Sequence, residues 1–128
     1  MPSTEMKIFV AHSGELNFQD ELYTPIRNSE LNSRYDFFLP HENGREVNTK
    51  EEIRSSDLVV AEASYSSMGE GIELGWADML GKKIICFHKE SEQPSKWLKM
   101  ISDTFIPYKN TEDLINLLGK ELEKQNKW

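Results

Sequence analysis

Residues 56–87 read SDLVVAEASYSSMGEGIELGWADMLGKKIICF. An apolar run, Leu58–Ala61, is followed by a polar, serine-rich loop over 62–70. Ile72, Trp76, Met79 and Leu80 then recur at helical spacing from Gly71 to Leu80, and Gly81-Lys82-Lys83 leads into a second apolar run, Ile84–Phe87. Short runs rich in Val and Ile without polar alternation suit strands covered on both faces. Strand, helix and strand in that order form a right-handed parallel crossover.

The same alternation extends in both directions. Lys7–Ala11 (KIFVA), Asp36–Leu39 (DFFL) and Thr104–Ile106 (TFI) read as further strands. Helical patterns fall between them. Leu16–Ile26 carries Phe18, Leu22 and Ile26, with Pro25 expected to kink or end the helix. Thr49–Ser56 buries Ile53 and is capped by Asn48 or Thr49, Ser95–Ile101 follows the fourth strand, and Thr111–Lys124 closes the chain with Leu114, Leu117, Leu118 and Leu122. Five strands alternating with helices predict one α/β domain over 1–128, a five-stranded parallel sheet with helices on both faces. Ligands of such folds lie at the carboxyl ends of the strands. Three loops fall there: His12–Glu15, Pro40–Val47 and Glu62–Glu70.

Bulk composition narrows the function. The chain has 128 residues, 38% hydrophobic and 29% charged, as in an ordinary folded domain. A net charge of −7 argues against binding a nucleic-acid polymer, yet one phosphate needs only a few N–H groups and a hydroxyl. The single cysteine, Cys86, allows no internal disulfide and reads as an inert buried thiol. No apolar run suits a membrane span, and MPSTEMKIFV shows no signal-peptide pattern, so a cytoplasmic location is expected. No His or Cys spacing suggests a metal site, and no cofactor is implied.

The loop before the central helix holds the chemistry. A helix beginning near Glu70 directs N–H groups and partial positive charge at the loop. Gly69 and Gly71 would allow close approach of a ligand or positive φ. Glu73 lies in the first turn, where an ionised, partly buried carboxylate is a candidate nucleophile toward a sugar anomeric carbon. The plainer alternative is an acid placed there by the helix dipole alone.

Residues 56–87 closely resemble the nucleoside 2-deoxyribosyltransferase superfamily, which includes nucleoside 5′-monophosphate N-glycosidases. The resemblance rests on Val59-Val60-Ala61-Glu62, the serine-rich loop, then Gly69, Gly71, Glu73, Leu74, Gly75 and Ala77, and on Gly81-Lys82-Lys83. It implies a flavodoxin-like, Rossmann-like sheet and cleavage of an N-glycosidic bond through a glycosyl ester on Glu73. Water resolves that ester in a hydrolase; a second base does so in a deoxyribosyltransferase. A site built across a homodimer or larger homo-oligomer is also implied. Ser67, six residues before Glu73, stands where the monophosphate-cleaving branch has a phosphate-binding serine and the transferases tend to have an acid. His12 and Ser13 fall in the phosphate loop after strand one, and Ser95 with Lys96 where a neighbouring subunit completes the site. Capping or turn roles would explain these serines equally.

The chain departs from the pattern in three places. The arginine of the first loop is replaced by Glu15 and Leu16. The usual first-strand tyrosine is Phe9, which cannot donate a hydrogen bond to Glu73. The aspartate eight residues before Asp57, which serves the leaving base, is Thr49, and threonine is no general acid at neutral pH. His41, Glu42, Glu46 or Glu51 would then take over, or the leaving group needs no acid. A nucleotide-binding module of weak catalysis is the remaining alternative. Asp57 reads as a strand-entry residue, and Trp76, Met79 and Trp97 as core or dimer packing.

Overall fold

The computed structural model describes residues 5–44 and 47–126. Five parallel strands, β1 (Lys7–His12), β2 (Asp36–Phe38), β3 (Leu58–Glu62), β4 (Ile84–Lys89) and β5 (Phe105–Tyr108), form one sheet in the order β2-β1-β3-β4-β5. This is the flavodoxin-like arrangement. The chain leaves β1 toward one edge and β3 toward the other, so the crevice opens between their carboxyl ends, where His12 pairs with Glu62.

Alternating side chains feed two cores. Ile8, Val10, Leu58, Val60, Ile85 and Phe87 pack with residues of α1 (Thr24–Asn28), α2 (Leu31–Arg34) and α5 (Thr111–Gln125) on one face. Phe9, Ala11, Val59, Ala61, Ile84 and Cys86 pack on the other with α3 (Thr49–Ser55) and α4 (Met68–Met79). Each buried branched side chain contributes about 1.5–3 kcal/mol, which is why strands buried on both faces specify the sheet so firmly. Cys86 is fully enclosed, and burial pushes its thiol up to about 11. Asp57 anchors strand entry, accepting the Lys7 N–H at 2.8 Å.

Several elements differ from the sequence expectation. The helix expected over 16–26 is a π-helical turn, Gln19–Tyr23, running into α1, with Leu16 and Phe18 outside it. Pro25 does not break it. It falls in the first turn of α1, where its missing N–H costs nothing. The short helix α2 carried no sequence signal. The helix expected over Ser95–Ile101 is 3₁₀, Lys96–Met100. Asn48, not Thr49, caps α3, accepting the Glu51 N–H. Met79 and Trp97 are not core residues, being 87% and 68% exposed, whereas Trp76 packs partly against the second core. Gly81, at φ +75°, ends α4 and accounts for the Gly-Lys-Lys turn.

Candidate active site

Helix α4 begins three residues earlier than its apolar stripe suggests, and Ser67 is its cap. The Ser67 Oγ accepts the Glu70 N–H at 3.1 Å. Gly69 and Gly71 therefore lie within the first helical turn. Neither has positive φ, which corrects one reading of that pair; added Cβ atoms at either would point into open space.

Glu73 follows in the next turn, half-buried. Burial raises its pKa, and a hydrogen bond from the Thr49 side chain lowers it. The position that lacks the expected aspartate thus meets the candidate nucleophile directly. Thr49 cannot supply a proton, but its hydroxyl favours the ionised carboxylate.

His12 and His41, both named from the sequence, meet at Tyr23, which sequence reasoning missed. The Tyr23 hydroxyl accepts the His41 N–H at 3.0 Å and lies 2.6 Å from His12 Nε2. The Ser13 carbonyl can only accept, so His12 Nδ1–H donates to it at 3.0 Å, and in the neutral ring Nε2 accepts the Tyr23 O–H. Burial, together with nearby His41, holds the His12 pKa down despite the bond to Ser13. Burial also pushes the Tyr23 phenol up to about 12, with Glu42 and Glu73 adding to the rise. Phe18 stacks on His12 with centroids 4.5 Å apart, and His41 meets His12 edge-on at 5.5 Å. Tyr23 is fully buried in the first core, and its hydroxyl is spent inside the protein on His12 and His41.

Phe9 belongs to the core, not to the site. It is fully buried and stacked on Phe38, with no surface left for a ligand. The three serines expected near a phosphate each accept a local N–H: Ser13 from Glu15 at 3.0 Å, Ser67 from Glu70, and Ser95 from Trp97 at 3.3 Å. Capping uses the oxygen and leaves the hydroxyl proton free to donate. Ser67 and Ser95 face a common cavity of about 270 Å³, walled by Ser66, Ser67, Glu70 and Gly71 on one side and Ser95 and Trp97 on the other. Glu73 does not line that cavity. Among the substitutes for the missing aspartate, Glu42 is held bidentately by Arg27, at 2.7 and 2.8 Å, and that bond keeps its carboxyl low. Glu51 is exposed and paired with Arg54. Glu46 lies outside the described residues.

The loop from Glu62 to Ser67 is fixed from behind. Glu62 accepts the Ser64 N–H and Oγ–H, both at 2.8 Å, and the Tyr108 hydroxyl, while the Ser64 Oγ accepts the Lys89 N–H. No helix among the described residues is long and apolar enough to cross a membrane.

No family model matches the chain. A curated relative from Nematostella vectensis, named "Putative 2'-deoxynucleoside 5'-phosphate N-hydrolase 1", is 31% identical over 120 residues, covering 94% of this chain and 67% of the relative. The chain belongs to the 2′-deoxynucleoside 5′-phosphate N-hydrolase family, within the nucleoside 2-deoxyribosyltransferase-like superfamily. Solved structures support the fold of this family member. The CMP N-glycosidase BcmB of Clostridium botulinum superposes with a TM-score of 0.63 at 22% identity, covering 88% of this chain and 98% of BcmB. A conserved protein of Enterococcus faecalis V583 gives 0.59 at 19%, covering 91% and 99%.

Proposed function

We propose that the protein cleaves the N-glycosidic bond of a nucleoside 5′-monophosphate, with Glu73 as nucleophile. The observation that carries this is Glu73 itself: a half-buried carboxylate one turn into α4, hydrogen-bonded by Thr49. The family membership and a relative named as an N-hydrolase support the reaction class. A Glu73 oxygen bonds to C1′ as the C1′–N bond breaks, and water then releases the sugar phosphate from the ester. One hard displacement becomes two easier ones. The hydroxyl protons of Ser67 and Ser95, which share the cavity at the N-terminus of α4, form a donor pair suited to the phosphate. Substrate is the only small molecule the reaction needs.

Whether water or a second base takes the sugar separates hydrolase from deoxyribosyltransferase. Serine rather than an acid at position 67 favours the nucleotide and water. Thr49 in place of an acid favours a different second reading, a nucleotide-binding module of low turnover. The protein acts as a homodimer or larger: Met68, Ile72, Met79, Trp97 and Met100 expose an apolar stripe along α4 and the 3₁₀ helix beside the cavity. Ile72→Lys is expected to yield monomers in sedimentation. The testing experiment is chromatography of nucleosides and 5′-monophosphates after incubation, with and without an added second base. Release of free base and sugar phosphate, lost in Glu73→Gln, supports the hydrolase. Exchange without sugar release identifies a transferase. Tight nucleotide binding without turnover, undiminished in Glu73→Ala, identifies the binding module.

A further inference from the structure

Breaking the bond in two steps calls for a second group that gives a proton to the departing base and takes one from the incoming water. Thr49 cannot do this, Glu42 is held by Arg27, and Glu51 is exposed and paired. Glu62 has both oxygens engaged, by Ser64 and Tyr108. Glu70 is different. It is 5% exposed, and among the described residues its Oε2 is the buried side-chain oxygen left without a hydrogen-bond partner. Buried polar atoms are nearly always paired, so an orphan beside a cavity points to a missing ligand. Glu70 forms part of the wall of the 270 Å³ cavity. It also precedes Glu73 by three residues on one helix, which sets their Cβ atoms about 5–6 Å apart.

We propose that Glu70 is the acid/base partner of Glu73, delivering its carboxyl proton to the base nitrogen as the C1′–N bond breaks. The inference rests on the N-glycosidase reading above. In the first step the C1′–N electron pair stays with the base, the Glu70 proton joins it, and a Glu73 oxygen bonds to C1′. In the second step the Glu70 carboxylate takes a proton from water, the water oxygen bonds to C1′, and the ester bond returns its electrons to Glu73. Both carboxyls end as they began. The groups facing Glu70 agree with this assignment: Glu62 from β3, Glu73 from α4 and the Cys86 thiol from β4. Burial, reinforced by the two carboxylates, pushes Glu70 up to about 9, so it holds its proton at neutral pH.

The test compares E70Q with the wild type on two substrates, an unmodified purine nucleoside 5′-monophosphate and its 7-methylpurine counterpart, whose base departs neutral without being protonated. Turnover of the unmodified nucleotide is expected to fall about 100-fold or more, and that of the methylated one less than about threefold. Equal losses on both, or no loss on either, overturn the proposal. E73Q must lose both substrates; a wild type that cleaves neither instead refutes the N-glycosidase reading itself, and this proposal with it. Infrared difference spectra at neutral pH supply a readout free of turnover. A protonated-carboxyl band is expected in the wild type and absent from E70Q, and its absence from the wild type overturns the proposal.

Discussion

Glu62 and Glu70 stand at either end of one loop, 2% and 5% exposed, and their carboxyls meet opposite fates. Glu62 receives three hydrogen bonds from Ser64 and Tyr108 and ties the loop to β5. Glu70 has an oxygen with no partner and two carboxylates for neighbours. Equal burial therefore says nothing about role; satisfaction does. A carboxylate whose lone pairs are all occupied holds structure in place. One left short keeps capacity for something that arrives later.

The contrast breaks most sharply at the helix they flank. Glu73→Gln is expected to reduce turnover roughly a thousandfold, about 4 kcal/mol of barrier, with the fold unchanged by circular dichroism. Residual activity near wild type would remove α4 from the chemistry. Next in size, Glu62→Ala strands the Tyr108 hydroxyl and the Ser64 donors, and urea titration is expected to show a loss of roughly 3 kcal/mol. If stability hardly changes, Glu62 is no anchor and the comparison fails.

Glu70 predicts a pH trend of definite sign. Its native pKa, near 9, exceeds the ordinary 4.5, so the stability it contributes is complete below about 4.5 and drains as pH rises toward 9. Glu70→Gln carries no such proton. Between pH 5 and pH 8 the variant should gain on the wild type by roughly 4 kcal/mol, read from melting temperatures at both values. A constant difference would mean Glu70 is ionised throughout. The smallest effect belongs to Arg27→Ala. The ion pair with Glu42 is about one-third exposed, and its loss should cost about 1 kcal/mol by denaturant titration. The same change should free Glu42 to titrate nearer its ordinary value, visible by carbon NMR.

The sheet was legible because its strands are buried on both faces, and runs such as KIFVA and LVVA advertise that directly. The start of α4 was legible because Ser67 stands three residues before Glu70 ahead of an apolar stripe; Glu73 was singled out from the same spacing, and its role is the one proposed above. The helices before β2 were not. A π-helical turn has no periodic signature in five residues, and Pro25 reads as a breaker unless the start of α1 is known. For Met79 and Trp97 the sequence left core and dimer packing open, because apolar spacing does not reveal which helix face meets the sheet; their exposure removes the first. Tyr23, His12 and His41 assemble only in three dimensions: a phenol and two imidazoles from three segments carry no shared spacing.

The π-helical turn, Gln19–Tyr23, has one more consequence. It fits an extra residue into a single wind of the chain, and that surplus sets the phase of Tyr23 relative to everything before it. Removing one residue from 19–22 would swing the phenol by roughly 100° against the preceding loop and strip His12 Nε2 of its donor. At this point of the molecule, segment length is guarded as strictly as any side chain, and insertions or deletions here should be less forgiving than substitutions.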